Sequence, residues 1–151
     1  MKFKYRRIQD SDAHFLTQIF SNPEYELYFV ENDTIEEDWI ERFQYYKDIE
    51  SNIIIDGAKP IGWIMYKLID NVCDLYIVVL LDKERHKGYG KEIFSDLFEA
   101  NPCIKKIKLD VQQRNIKACK FYQKLGFRIV SEERQPVRDS SEMYCNMELD
   151  I

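Results

Sequence analysis

Apolar residues recur along the chain at two spacings, and the switches between them mark its elements. Lys2 to Ile8 alternates at strand length. Asp10 and Ser11 can cap a helix, and Phe15, Leu16, Ile19 and Phe20 recur behind them at helical spacing. Thr34-Ile35-Glu36-Glu37 has the form of a capping box, and Trp39, Ile40, Phe43 and Tyr46 share one side of the helix it predicts. Three apolar runs of strand length follow: Asn52–Ile55, Ile61–Leu68 and Val72–Leu80. Gly57-Ala58-Lys59-Pro60 and Ile69-Asp70-Asn71 separate them as turns, which predicts an antiparallel meander. A helix opening at Gly88 carries Tyr89, Ile93, Phe94, Leu97 and Phe98 as its apolar stripe, and Lys106–Val111 alternates as a strand. Asn115 and Gly126 bracket a short helix with Ala118, Cys119, Tyr122 and Leu125 on one face. Phe127–Ser131 and Met143–Leu149 predict a closing hairpin. The order is β-α-α-β-β-β-α-β-α-β-β, in a single domain over residues 1–151 that is long enough to bury a core.

The junction from Val78 to Lys91 carries the strongest chemical signal. An apolar strand, Val78-Val79-Leu80, passes through a charged bend into Arg85-His86-Lys87-Gly88-Tyr89-Gly90-Lys91, which opens a helix. The first N–H groups of a helix lack partners and sit at the positive end of its dipole, so they suit an anion such as a phosphate. A P-loop would need Gly-x-x-x-x-Gly-Lys-Ser/Thr, and a dinucleotide fingerprint would need a third glycine where Ile93 stands. The pattern present is Arg-x-x-Gly-x-Gly, filled by Arg85, Gly88 and Gly90. A second string, Asn-x-x-Ala-x-x-x-Tyr-x-x-x-Gly-Phe, runs from Asn115 through Ala118 and Tyr122 to Gly126 and Phe127.

Together these strings resemble the two acetyl-CoA segments of the GNAT superfamily of acyl-CoA-dependent N-acetyltransferases, and the resemblance covers nearly the whole chain. It implies an α/β (α+β) fold with a mixed, mostly antiparallel central sheet flanked by helices. In that fold a splayed strand pair holds the pantetheine arm, here against the backbone of Val78, Val79 and Leu80. It implies acetyl-CoA as co-substrate, with Arg85, His86, Lys87, Gly88, Tyr89, Gly90 and Lys91 around its phosphates. Asn115 would contact the pantetheine and Tyr122 would sit beside the thioester sulfur. Leu81 and Asp82 stand where family members often carry a small or acidic residue and a proline, which implies an altered loop shape.

The implied chemistry is direct transfer of an acetyl group to an amine, which needs a neutral amine, a stabilised oxyanion and a proton for the departing thiolate. Tyr122 is the candidate acid, against the alternative of a core tyrosine. A backbone N–H at Val79 or Leu80 is the simplest oxyanion donor. Asp110 is the candidate base. Leu109-Asp110-Val111 matches the Leu-Glu-Val found five residues before the Asn in N-terminal acetyltransferases of the ribosomal-protein type, and its shorter side chain would act through water. A capping or pairing role near Arg114 is the alternative. Asp74, whose direction alternation leaves open, and Glu26 and Glu31 are further carboxylates.

Composition narrows the partners. The chain carries 27 acidic against 22 basic residues, a net charge of −5. Ten acids from Glu24 to Glu50 face only Arg42 and Lys47, interleaved with Tyr25, Tyr28, Phe29, Trp39, Tyr45 and Tyr46. In the family this segment forms the acceptor side, so a cationic small-molecule amine is expected: a polyamine, an aminoglycoside or a lysine-like amine. Solvated helix faces are the alternative, favoured for Glu36, Glu37 and Asp38. A protein N-terminal or lysine acetyltransferase, and a non-catalytic acyl-CoA-binding module, are the competing functions. The basic cluster Lys105, Lys106, Lys108 and Arg114 has no stacking platform, so no nucleic-acid partner is expected. No run is apolar enough to suggest a membrane partner, and Met1 to Arg7 lacks the apolar stretch of a secretion signal. Cys73, Cys103, Cys119 and Cys145 have no Cys-x-x-Cys spacing and read as reduced thiols of a cytoplasmic protein. With only His14 and His86 as imidazoles, no metal is expected. The resemblance is compatible with a homodimer, an assembly frequent in the superfamily.

Overall fold

The computed structural model describes residues 1–22, 49–134 and 143–151. Its strands are β1 (Lys4–Arg7), β2 (Glu50–Asp56), β3 (Lys59–Ile69), β4 (Val72–Leu80), β5 (Lys106–Gln112), β6 (Arg128–Arg134) and β7 (Met143–Asp150). The helices among the described residues are α1 (Ala13–Phe20), α2 (Tyr89–Ala100) and α3 (Ile116–Lys124). The strands form a seven-stranded sheet in the order β1-β2-β3-β4-β5-β7-β6. Pairing is antiparallel for β1–β2, β2–β3, β5–β7 and β6–β7, and parallel for β4–β5. This is the mixed, mostly antiparallel α+β architecture expected. The helix expected behind Thr34, its acidic and aromatic neighbours, and Glu26 and Glu31 lie outside the described residues.

Local chemistry sets the turns. Asp70 (φ 50°) and Asn71 (φ 67°) form the two-residue connection between β3 and β4. Both tolerate the left-handed backbone that a type I′ hairpin needs, so β3 runs one residue further than expected, through Ile69. The entry to α1 differs from expectation. Asp10, Ser11 and Asp12 make a 3-10 turn rather than a cap. The capping carboxylate is that of Asp12, which accepts the Gln9 N–H at 2.8 Å. Arg6 fixes it there with a fork of 2.7 and 3.0 Å, a bidentate geometry that outcompetes the neighbouring Asp10 and Ser11.

The chain divides into two compact units, Met1–Lys67 with Ile77–Pro102, and Leu68–Tyr76 with Cys103–Ile151. In the first, Ala13, Leu16, Ile19 and Phe20 of α1 pack on Ile53, Trp63, Met65 and Val79. Trp63 buries its ring edge-to-face with Phe20 at 6.2 Å, and its Nε1 donates to Ser51 Oγ at 2.9 Å, so the indole leaves no orphan donor in the core. Asp96 of α2 is buried together with Ile93, Phe94 and Leu97. Its carboxylate accepts the N–H groups of Lys2 (2.7 Å) and Phe3 (2.9 Å) and the hydroxyl of Tyr5 (2.9 Å). Burial, and then this hydrogen bond, push the Tyr5 phenol far up from its ordinary pKa.

In the second unit, β7 lies between β5 and β6, so the closing hairpin is also paired along its inner edge. Ile107, Leu109, Val111, Cys145 and Met147 are buried on one face of these strands. Lys106, Lys108, Arg128, Glu148 and Asp150 form a charge network on the other. The four cysteines are free thiols; Cys103 is exposed and Cys73 and Cys145 are buried. No helix among the described residues is long and apolar enough to cross a membrane.

Gly62 of β3 sits against β4 with no room for a side chain, because a Cβ there would come within 2.3 Å of the Val79 carbonyl oxygen. Gly62→Ala must push backbone rather than a flexible side chain, which costs about 1–3 kcal/mol for overpacking of this kind. Thermal unfolding should register the loss as a clear drop in Tm. An unchanged Tm would mean that β4 can step aside freely.

Candidate active site

Two segments hold the residues singled out in the sequence, one in each unit. In the first unit, β4 ends against β3. The Leu81 N–H donates to the Ile61 carbonyl at 2.8 Å, and the Val79 carbonyl faces Gly62. Peptide groups alternate in direction along an antiparallel strand, so those of Val78 and Leu80 turn to the opposite edge. Val79 points its side chain into the core, while Val78 and Leu80 are half-buried.

After a 3-10 turn at Asp82–Glu84, the backbone twists twice into the left-handed region, at His86 (φ 62°) and Gly88 (φ 79°). Lys87 between them does not. Alternation of this kind turns successive N–H groups toward one side and makes an anion-binding concavity. Gly88 is the N-cap of α2 and provides no side-chain cap. Open space surrounds the place a Cβ would occupy at Gly88, so glycine serves there for its φ and not for room. The side chains are placed less uniformly than the sequence suggested. Arg85 is drawn back toward Asp82 at 3.7 Å. The Tyr89 hydroxyl donates to Asp56 at 3.3 Å, with its ring edge-on to Phe3. His86, Lys87 and Lys91 lie at the exposed surface and Gly90 in the first turn of the helix.

In the second unit, Asn115 caps α3: its Oδ1 accepts the Ala118 N–H at 3.2 Å. Its Nδ2 has no hydrogen bond among the described residues. The helix ends in a Schellman turn at Gly126 (φ 104°), with Phe127 N–H to the Tyr122 carbonyl and Gly126 N–H to that of Gln123, both at 3.0 Å. This fixes Tyr122 from its own backbone, and Phe121 and Phe127 flank its ring at 5.3 and 5.5 Å. Burial, and then the neighbouring Cys119, push the Tyr122 phenol up to about 12. It therefore keeps its proton at neutral pH, as a general acid must.

Asp110 and Tyr122 occupy different faces. Val111 is paired with Cys145 and lies on the buried face, where Cys119 of α3 is beside Cys145 and its Sγ donates to the Gln112 carbonyl at 3.8 Å. Asp110 is exposed on the other face and its Oδ1 accepts from Asn146, which also donates to Glu133 at 3.2 Å. The register Asp74↔Lys108 puts Asp74 on this same face, which settles the direction that alternation left open. Parallel pairing of β4 with β5 runs only from Val72↔Lys106 to Leu75↔Leu109. Sequence reasoning missed Glu84, Lys59 and Asn146 because each takes its role from a partner distant in the chain. The one local signal was Glu84 set between two cations, Lys83 and Arg85, of the bend.

The profile described as the Acetyltransferase (GNAT) family matches residues 13–127. No curated protein matches the chain in sequence. Solved structures share the fold at low identity. A spermidine N-acetyltransferase from Vibrio cholerae in complex with CoA and spermine superposes with a TM-score of 0.74 at 16% identity, over 99% of this chain and 95% of that one. An aminoglycoside acetyltransferase in complex with coenzyme A gives 0.77 and 16%, over 98% and 94%. The ribosomal-protein-S18-alanine N-acetyltransferase from Escherichia coli gives 0.72 and 15%, over 99% and 94%.

The raised pKa of the half-buried Tyr122 has a direct readout. With tyrosine labelled at Cζ, its NMR resonance should still report the phenol at about pH 11, where an ordinary tyrosine is largely ionised. A resonance already shifted there would put the ring in solvent.

Proposed function

Because the chain belongs to the Acetyltransferase (GNAT) family, we propose that it is an acetyl-CoA-dependent N-acetyltransferase acting on a primary amine of a cationic small molecule. The observation that carries this reading is the α2 N-terminus, uncapped by any side chain and preceded by two positive-φ residues. Its N–H groups, with Arg85, His86 and Lys91 around them, suit the pyrophosphate and 3′-phosphate. The peptide groups of Val78 and Leu80 suit a pantetheine arm lying along β4 as an added strand. Asn115 Nδ2 suits a carbonyl of that arm.

In the chemical step the neutral amine attacks the thioester carbonyl, forming the C–N bond, and collapse breaks the C–S bond. A backbone N–H on the edge of β4 turned away from β3 stabilises the oxyanion; the peptide of Val79 faces Gly62 and is on the wrong edge for it. Tyr122 gives its phenol proton to the departing sulfur. Asp110, through a water, takes the proton the amine must lose. Acid and base then work from opposite faces, which keeps the donated proton apart from the abstracted one. The acceptor reading is supported by Asp74 and Asp110 together on one face, in a chain with net charge −5. A second reading, acetylation of a peptide N-terminus, is favoured by the position of Asp110 five residues before Asn115.

Thiol release from acetyl-CoA across a panel of spermidine, an aminoglycoside, free lysine and short peptides separates the two. Turnover with the small cations is the expected result. Turnover confined to peptides would transfer the assignment to the second reading, and binding of acetyl-CoA without turnover would favour an acyl-CoA-binding module. Tyr122→Phe should lower kcat by about a hundredfold while KM for acetyl-CoA changes little. Unchanged kcat would return Tyr122 to a packing role and leave water as the proton source.

A further inference from the structure

Glu84 is the buried charge of the glycine loop, with 3% of its surface exposed. Its Oε1 accepts from Lys59 Nζ at 2.6 Å and its Oε2 from Lys87 Nζ at 2.9 Å. These two hydrogen bonds, that of Lys59 first, hold the carboxyl down to about 2. Lys87 is thereby committed to Glu84 and lies between the two left-handed residues of the loop. Lys59 comes from outside the loop, at the start of β3, just past the Gly57 turn. The same turn provides a second tie, because Asp56 on its other side accepts from Tyr89. The β2–β3 turn thus holds the loop before and after its twist, at residues 84 and 89, and Glu84 passes the first tie on to Lys87 within it.

Such bracing matters because converging N–H groups bind an anion well only if their order is already established before the ligand arrives. A buried carboxylate enforces that order: either lysine lost leaves it with charge and lone pairs unmet. The charges also matter. Two lysines around one carboxylate leave a positive sum beside an anion site, and removal of one leaves no net charge.

We propose that Glu84 and Lys59 are positioning residues for the phosphate loop, acting through Lys87 to set the His86–Gly88 twist in its anion-receiving shape. The inference rests on the reading of this loop as the acetyl-CoA phosphate site. It makes cofactor affinity depend on a hairpin that the glycine motif does not contain, and it gives Lys87 a structural use for its ammonium group.

The test is calorimetric titration with acetyl-CoA of the parent protein and of Lys59→Met, Lys59→Arg, Glu84→Gln and the double variant Lys59→Met/Glu84→Gln. The Lys59 side chain is more than half exposed, so its replacements should fold even if Glu84→Gln does not. Lys59→Met should weaken binding about tenfold and Lys59→Arg should restore it, as expected for a charge-assisted bond. The double variant should lose no more than its weaker-binding single parent, since both changes break one connection. Parent-like affinity in folded Lys59→Met, or fully additive losses, would overturn the inference while leaving the loop assignment standing. Failure of the parent protein itself to bind acetyl-CoA would instead overturn the loop reading, and the inference with it.

Discussion

A helix can offer its first N–H groups to a ligand only if its own side chains do not take them first. The two helix starts singled out in the sequence resolve this constraint in opposite ways. At α3, Asn115 bends its carbonyl oxygen onto Ala118 and closes the end off. At α2, the cap position is a glycine with a left-handed backbone and no side chain, so the end stays available. The rest of the first unit can be understood as support for that open end. Gly62 lets β4 approach β3, Val79 anchors the strand in the core, and Glu84 holds the bend that follows. The open helix start is useful only because the strand leading into it is fixed so closely.

Support of this kind explains why two carboxylates are buried in this unit. Asp96 and Glu84 both lie within a dozen or so residues of the open helix start, and both are nearly inaccessible. Neither is a bare charge, because each has its acceptor capacity met. Asp96 is met by two backbone N–H groups and a phenol, Glu84 by two ammonium groups. The first ties the beginning of the chain to the flank of α2, and the second ties the β2–β3 turn to its approach. A hydrophobic contact would bury area at either place, but it would not specify direction as these hydrogen bonds do.

What the sequence made legible was whatever depends on neighbours in the chain. β4 has the bounds its apolar run predicted, and the glycine loop opens a helix where the motif put one. The Asn115 cap and the Gly126 turn are local devices and were readable for that reason. Glu84 was not readable, because its burial depends on Lys59, 25 residues away. Asp96 shares the helix side of Tyr89 and Ile93, where an apolar residue would be expected, and its burial is explained only by Lys2, Phe3 and Tyr5, more than 90 residues back. Asp74 lacked a direction until the pairing of β4 with β5 supplied one, and the same pairing separates Asp110 from the face that α3 covers. The left-handed φ of His86 is a further case, since only a few per cent of non-glycine residues adopt it and no local motif announced it, although histidine is among those that tolerate it best.

The unequal burial of the four thiols has a practical corollary. Burial raises the pKa of Cys73 to about 12, and burial likewise raises Cys119 and Cys145, so little thiolate forms at any of them near neutrality. Cys103 alone of the four lies exposed, just after α2 ends and where the second unit resumes. A maleimide dye at neutral pH will therefore mark one defined position without any cysteine being engineered away. Fluorescence from that position then comes from a single site while the other three cysteines stay native.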